Sequence, residues 1–136
     1  MSFREKSAWI SFVLVGLVFA AYFFPVASGE LRGARQLHWY LLVTIAFIVL
    51  EVVLHIVLAL QSPRDAKTPK DERERLIELK ATRIAFWVLM TGALLSILTI
   101  HLGAEAGLLA THVFLAVVFA ELVKFASQIV FYRRGV

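Results

Sequence analysis

The chain has no cysteine among its 136 residues and only three prolines. Without cysteine there are no disulfides, no thiol redox chemistry and no thiolate metal sites. With so little proline, only Pro25, Pro63 and Pro69 interrupt stretches that can otherwise run on as helix. Charge of either sign is missing altogether from residues 7–29. The seven glycines are scattered, and no phosphate-binding Gly-rich loop, nucleophile elbow or zincin motif occurs. What the chain has instead is apolar length. Hydrophobic residues make up 60% of it and the mean hydropathy is +0.81, above the roughly one-half apolar content of soluble domains.

Four runs account for the excess. A bilayer core is crossed by about 20 mainly apolar residues in helix, and spans are expected at about 7–27, 37–61, 82–103 and 106–132. The fold class read from this pattern is all-α: an integral membrane four-helix bundle forming one domain over 1–136, arranged as two tandem helical hairpins. Arg4 and Lys6 followed by an apolar run and Val26-Ala27-Ser28-Gly29 resembles a signal peptide. The run is long for such a segment, and Tyr22, Phe23 and Phe24 are bulky for a cleavage site, so the first run is read as a retained span.

Lys and Arg are distributed as membrane topology requires. Arg4 and Lys6, then Arg64, Lys67, Lys70, Arg73, Arg75, Lys80 and Arg83, then Arg133 and Arg134 fall on one side of four spans, against Arg32 and Arg35 on the other. The positive-inside rule makes the first side cytoplasmic, N-in and C-in. The pI near 9.8 therefore reflects topology. Direct nucleic-acid binding is not expected, because the basic middle stretch also holds Asp65, Asp71, Glu72, Glu74 and Glu78.

The connection at about 62–83 is more than a loop. Thr68-Pro69-Lys70-Asp71 has the composition of a helix start, with Thr68 as N-cap and Pro69 in the first turn. The third span is thus expected to begin near Pro69 and to project into the cytoplasm for about 20 Å, supported by Lys70–Glu74 and Asp71–Arg75 pairs at i,i+4. Asp71, Glu72, Arg73, Arg75 and Glu78 on this extension are candidate contacts for a cytoplasmic protein partner, against the plainer reading of a solvated helix end.

Two carboxylates, Glu51 and Glu121, lie inside runs that otherwise read as spans. An acid at the centre of a spanning helix costs about 2.5 to 3.5 kcal/mol on insertion scales and normally faces a partner or a wet cavity. His55 stands four residues after Glu51, and Lys124 three after Glu121. Each acid therefore has a partner on its own helix. At helical spacing Tyr40, Thr44, Glu51, His55 and Ser62 share one stripe, and Thr111, Glu121, Lys124 and Gln128 another. The first span offers Ser7, Ser11 and Tyr22, and the third offers Gly92, Ser96, Thr99 and Gly103. Such stripes are where helices meet in a bilayer. Glu51, His55, Glu121, Lys124 and Gln128 are the candidate buried polar or relay residues, with a hydrogen-bonded packing network as the alternative. No catalytic residue and no cofactor is called for. Glu51, His55 and Glu121 lack the spacing and ligand number of a di-metal bundle. His38, His101 and His112 sit towards span ends, so a haem- or metal-binding bundle ranks below the other readings.

There is a weak internal repeat. Lys6-Ser7-Ala8-Trp9-Ile10-Ser11-Phe12 aligns with Lys80-Ala81-Thr82-Arg83-Ile84-Ala85-Phe86, and Glu51 with Glu121. Two hairpins of the same orientation would form a parallel repeat.

The segments PKDERERLIELKATRIAFWVLM and AELVKFASQIVFYRRG, with the opening FREKSAWISFVL, resemble a family of small four-span membrane proteins of bacteria and archaea, a domain of unknown function. The resemblance implies four spans and a small prokaryotic membrane protein. Members are often encoded beside small helix-turn-helix regulators, which implies a regulatory pair. It brings no catalytic residues. The function expected is that of a small non-enzymatic, homo-oligomeric inner-membrane protein, regulatory or partner-binding through its charged extension. The rival is a small transporter or channel subunit using Glu51 and Glu121 as a proton or ion relay. Small multidrug transporters also have four spans, but their key acid lies in the first, where this chain has none.

Overall fold

The computed structural model describes residues 2–134, the side chain of Asp65 aside. The described residues form helices α1 (Phe3–Ala27), α2 (Ala34–Gln61), α3 (Pro63–Lys67), α4 (Glu72–His101) and α5 (Ala106–Arg134), with no strand among them. Four of these, all but the five-residue α3, are long and apolar enough to cross a membrane. The chain divides into two compact units, Met1–Pro69 and Lys70–Val136. Each is a helical hairpin: α1 packs on α2, and α4 on α5.

Most large side chains on the long helices point away from protein. Leu17 is 68% exposed, Leu60 74% and Trp87 61%, with many Leu, Ile and Val alongside them. Water-soluble monomers rarely leave apolar surface of this extent uncovered. A hydrocarbon solvent removes that penalty, and helix pairing then rests on close packing and hydrogen bonds. The buried positions match this: small or polar residues such as Ala8, Ser11, Ala81, Ala85, Ser96 and Ala120 recur among them.

Helix ends show where local chemistry departs from the sequence expectation. Pro25, which the sequence marks as an interruption, lies inside α1, and the helix runs to Ala27. Proline has a helical φ but lacks the N–H that would bond the Ala21 carbonyl, so α1 carries it with one ladder bond missing and ends two residues later. The stop is Gly29 at φ 81°, with Glu30 N–H donating to the Pro25 carbonyl and Gly29 N–H to that of Val26. This left-handed closing turn satisfies carbonyls that the helix leaves open. α4 ends the same way at Gly103, φ 82°, with Ala104 N–H donating to Thr99 O. Gly103 stands as far after Lys80 as Gly29 does after Lys6, so the two hairpins repeat one closing device in the register of the sequence repeat.

The start of α4 corrects a second expectation. Thr68 is not its cap. The Thr68 hydroxyl donates to Arg64 O at 2.9 Å, closing the short α3. Asp71 caps α4 instead, its Oδ1 accepting from Glu74 N at 2.6 Å. An aspartate fills the role as well as a threonine, and its carboxylate suits the positive end of the helix dipole. Lys70 stays outside the helix and reaches Glu78, Nζ to Oε2 2.5 Å.

Candidate functional site

Hairpin α1–α2 brings four polar side chains together. Ser7 and Ser11 lie one turn apart on α1; Glu51 and His55 lie one turn apart on α2. Because the helices run in opposite directions, Ser7 meets His55 and Ser11 meets Glu51. Ser11 Oγ donates to Glu51 Oε1 at 2.5 Å, and Ser7 Oγ lies 2.8 Å from His55 Nε2. The same register continues along the hairpin. Farther along, Phe19 meets Phe47 and Tyr22 meets Tyr40, with ring centroids 5.2 Å and 6.2 Å apart, and Val15 and Val43 are buried on the same two helices. The contact between the helices is therefore polar at the end carrying Arg4 and Lys6 and aromatic at the other.

The bonds around His55 define its neutral form. Nδ1 lies 2.8 Å from the backbone carbonyl of Glu51 and 3.6 Å from Glu51 Oε1. A carbonyl can only accept, so Nδ1 carries the hydrogen. In the neutral ring, Nε2 then presents its lone pair, and Ser7 Oγ–H donates to it. Glu51 Oε1 accepts from Ser11, whereas Oε2 is buried and accepts no hydrogen bond from the described residues. The carboxylate is thus held at one oxygen and unsatisfied at the other.

This arrangement also revises the depth of Glu51. From its sequence position the acid reads as central in its span. Its partner Ser11 is only five residues beyond Lys6, about 7.5 Å along the axis at about 1.5 Å per residue. Glu51 therefore sits towards the charged end of the hairpin.

Hairpin α4–α5 holds the second acid differently. Glu121 Oε2 pairs with Lys124 Nζ at 2.6 Å, and the ammonium lies 4.9 Å from the Phe125 ring centroid. Both partners are on α5, and the Glu121 side chain is 44% exposed. Gln128 is half-buried one turn on. Where the repeat places Ser7 and Ser11 in the first hairpin, the second has Ala81 and Ala85, both buried. No hydroxyl is offered to Glu121 from those two positions. Gly92 is the close-approach point of this hairpin, since a Cβ there would lie 2.6 Å from Ala116 Cβ.

The extension residues separate into two kinds. Asp71 caps α4, Arg73 Nη2 donates to Tyr132 O at 3.2 Å near the end of α5, and Glu78 pairs with Lys70. Arg73 thereby satisfies one of the carbonyls that a helix C-terminus leaves open. These three are engaged within their own hairpin. Glu72 and Arg75 are exposed, and so are Leu76 at 52% and Leu79 at 67%, two residues missing from the sequence-derived set. Ile77 and Ala81 on the opposite side are fully buried. The signal was present in the Leu76–Leu79 spacing, but only packing tells which apolar side of the helix stays open.

Ser7 and Ser11 were also outside the sequence-derived site, although they lie on the polar stripe. Their chemistry has limits. Ser7, His55 and Glu51 stand in the order of a hydrolase triad, yet Ser7 lies inside α1, where backbone N–H groups are committed to the helix and cannot form an oxyanion hole. The geometry suits holding and moving a proton better than acyl transfer. No group of three or more His, Asp or Glu side chains that could hold a metal occurs among the described residues. Comparison with protein-family models, curated proteins and solved structures finds no match to this chain.

Proposed function

We propose that this is a small non-enzymatic protein of the prokaryotic inner membrane, a four-helix bundle with both termini in the cytoplasm, that binds a cytoplasmic protein partner through the first turns of α4. One observation carries the reading. Leu76 and Leu79 are exposed on a segment whose neighbours Glu72, Arg75, Lys80 and Arg83 are all charged and exposed, about 18 Å of helix from Glu72 to Arg83. Exposed leucines ringed by charge have the make-up of a protein-binding patch, an apolar centre within a polar rim. The Asp71 cap and the Arg73 bond to α5 stiffen the segment, which lowers the ordering cost of binding.

The test is affinity capture on the detergent-extracted chain, comparing wild type with Glu72→Lys, Arg75→Glu and Leu79→Ser. Asp71 and Arg73 are left intact because their loss would disturb the helices themselves. Loss of a captured partner with unchanged helix content supports the proposal. Equal capture by all four chains refutes it. Homo-oligomerisation belongs to the same proposal and is read by native mass spectrometry, where a bare monomer counts against it.

A second reading is favoured by the Ser7–His55 and Ser11–Glu51 bonds: a small transport or channel subunit that handles protons. Glu121, neutralised by Lys124 on its own helix, fits that role less well than Glu51.

A further inference from the structure

The hydrogen-bonded residues of the first hairpin form a chain with a beginning and an end. It begins at Ser7, one residue past Lys6, passes through the His55 ring and reaches the Glu51 carboxylate, with Ser11 on the far side. Beyond Glu51 the contact surface becomes Val15, Phe19, Val43 and Phe47. The next polar side chain on that face of α2 is Thr44, about 10 Å farther along the axis, and its hydroxyl is buried without a hydrogen bond among the described residues. A proton cannot hop across such a gap without intervening donors and acceptors.

We propose that Ser7, His55, Glu51 and Ser11 form a proton-binding site loaded from the Arg4–Lys6 end of the hairpin, and that the site is a dead end, not a through-path. The inference rests on the proton-handling part of the second reading above and not on through-transport. A proton arriving beside Ser7 bonds to the Nε2 lone pair of His55, and the Ser7 hydroxyl turns from donor to acceptor. The ring is then an imidazolium whose Nδ1–H lies 3.6 Å from Glu51 Oε1. Transfer of that Nδ1 hydrogen to the carboxylate breaks one N–H bond and forms one O–H bond. Glu51 becomes a neutral acid, and the ring becomes the Nε2–H tautomer with Ser7 still accepting. The buried Oε2 accepts no hydrogen bond from the described residues, so its lone pairs are open to a proton. The other charged residues at this end of the hairpin are Arg4, Glu5 and Lys6 on α1 and Arg64, Asp65 and Lys67 on α3. Glu5 is buried, and Arg4 Nη2 donates to Thr68 O at 3.4 Å. Cations outnumber acids there, so the entrance does not itself compete with Glu51 as a cluster of carboxylates would.

The experiment uses the full chain in liposomes. Infrared difference spectra between acid and neutral buffer are recorded for wild type, Glu51→Gln, His55→Gln, Ser7→Ala and Glu121→Gln, and proton flux is followed with a trapped pH dye. The expected result is a carboxyl band lost in Glu51→Gln, an imidazole band lost in His55→Gln and altered in Ser7→Ala, and the Glu51 and His55 bands intact in Glu121→Gln. Flux stays at the level of protein-free liposomes. Sustained flux that requires Glu51 overturns the dead end while keeping the proton-handling reading. A wild-type spectrum without bands assignable to Glu51 or His55 overturns both. Should the Glu51 and His55 variants fail to assemble, solid-state NMR of His55 in the wild type decides: the Nδ1–H tautomer is expected in neutral buffer and the Nε2–H tautomer in acid, and a ring that keeps one tautomer in both refutes the proposal.

Discussion

Gly92 offers the most direct test of how the second hairpin holds together. α4 meets α5 there with no side chain between Gly92 and Ala116. A Cβ added at Gly92 would stand 2.6 Å from Ala116 Cβ and 3.5 Å from its Cα. Carbon atoms in contact prefer about 3.5 to 4.0 Å, so Gly92→Ala must push the helices apart locally by about 1 Å. The obstructing atom is a methyl fixed to the backbone and cannot swing aside. Overpacking costs about 1–3 kcal/mol, and the higher helix propensity of alanine returns about 0.8 to 1 kcal/mol. The net expectation is a loss of about 1 kcal/mol, with a larger loss for Gly92→Leu. Packing is the main association force between helices in lipid, so little else can offset it. The measurement is reversible unfolding in mixed micelles, followed by helix content and by a fluorescent pair on α4 and α5. Ala116→Gly combined with Gly92→Ala exchanges the methyl across the contact and should recover most of the loss. A Gly92→Ala chain as stable as wild type would refute the claim that this contact holds the hairpin together.

Three further outcomes are expected. In a double-mutant cycle, Ser11→Ala and Glu51→Gln should couple by about 1 kcal/mol, between the average near 0.6 for hydrogen bonds inside membranes and the larger values for charged partners in water; additive losses would mean that the 2.5 Å bond is not a working contact. Asp71→Ala should lower stability by about 1 kcal/mol as a lost helix cap, with amide exchange rising at Glu74, while Thr68→Ala leaves α4 unchanged; the reverse ranking would restore Thr68 as the cap. The chain lacks cysteine, so single cysteines report topology without background: thiol reagents should reach Cys at Ser2 and Lys67 from the cytoplasmic side and at Glu105 from the opposite side, and a shared side would overturn the N-in, C-in arrangement.

The pairings of Glu51 with His55 and of Glu121 with Lys124 were legible because helical periodicity alone places residues three or four apart on one face. The serine partners of Glu51 were legible only as polar residues on the right stripe. Which residue of α1 stands level with Glu51 depends on how the turn at residues 28–33 closes, through Gly29 and Gly33 at positive φ. A matching i,i+4 spacing, Ser7–Ser11 against Glu51–His55, was the available hint. For the helix caps, Thr68 and Asp71 both carry suitable side chains, and the choice went to Asp71 because α4 begins at Glu72, which puts Asp71 Oδ1 within reach of Glu74 N–H while Thr68 closes α3.

Sequence by itself determined the number of long apolar helices, their approximate limits, and the carboxylates placed inside them, since these follow from hydrophobic length and from a fixed helical repeat. Tertiary structure alone decided that Glu51 is tied to Ser11 and His55 to Ser7, that Gly92 marks the close contact of the second hairpin, and that Leu76 and Leu79 stay exposed. The reason is the register between antiparallel helices. It depends on how side chains fit across the contact, and no single helix's periodicity contains that information.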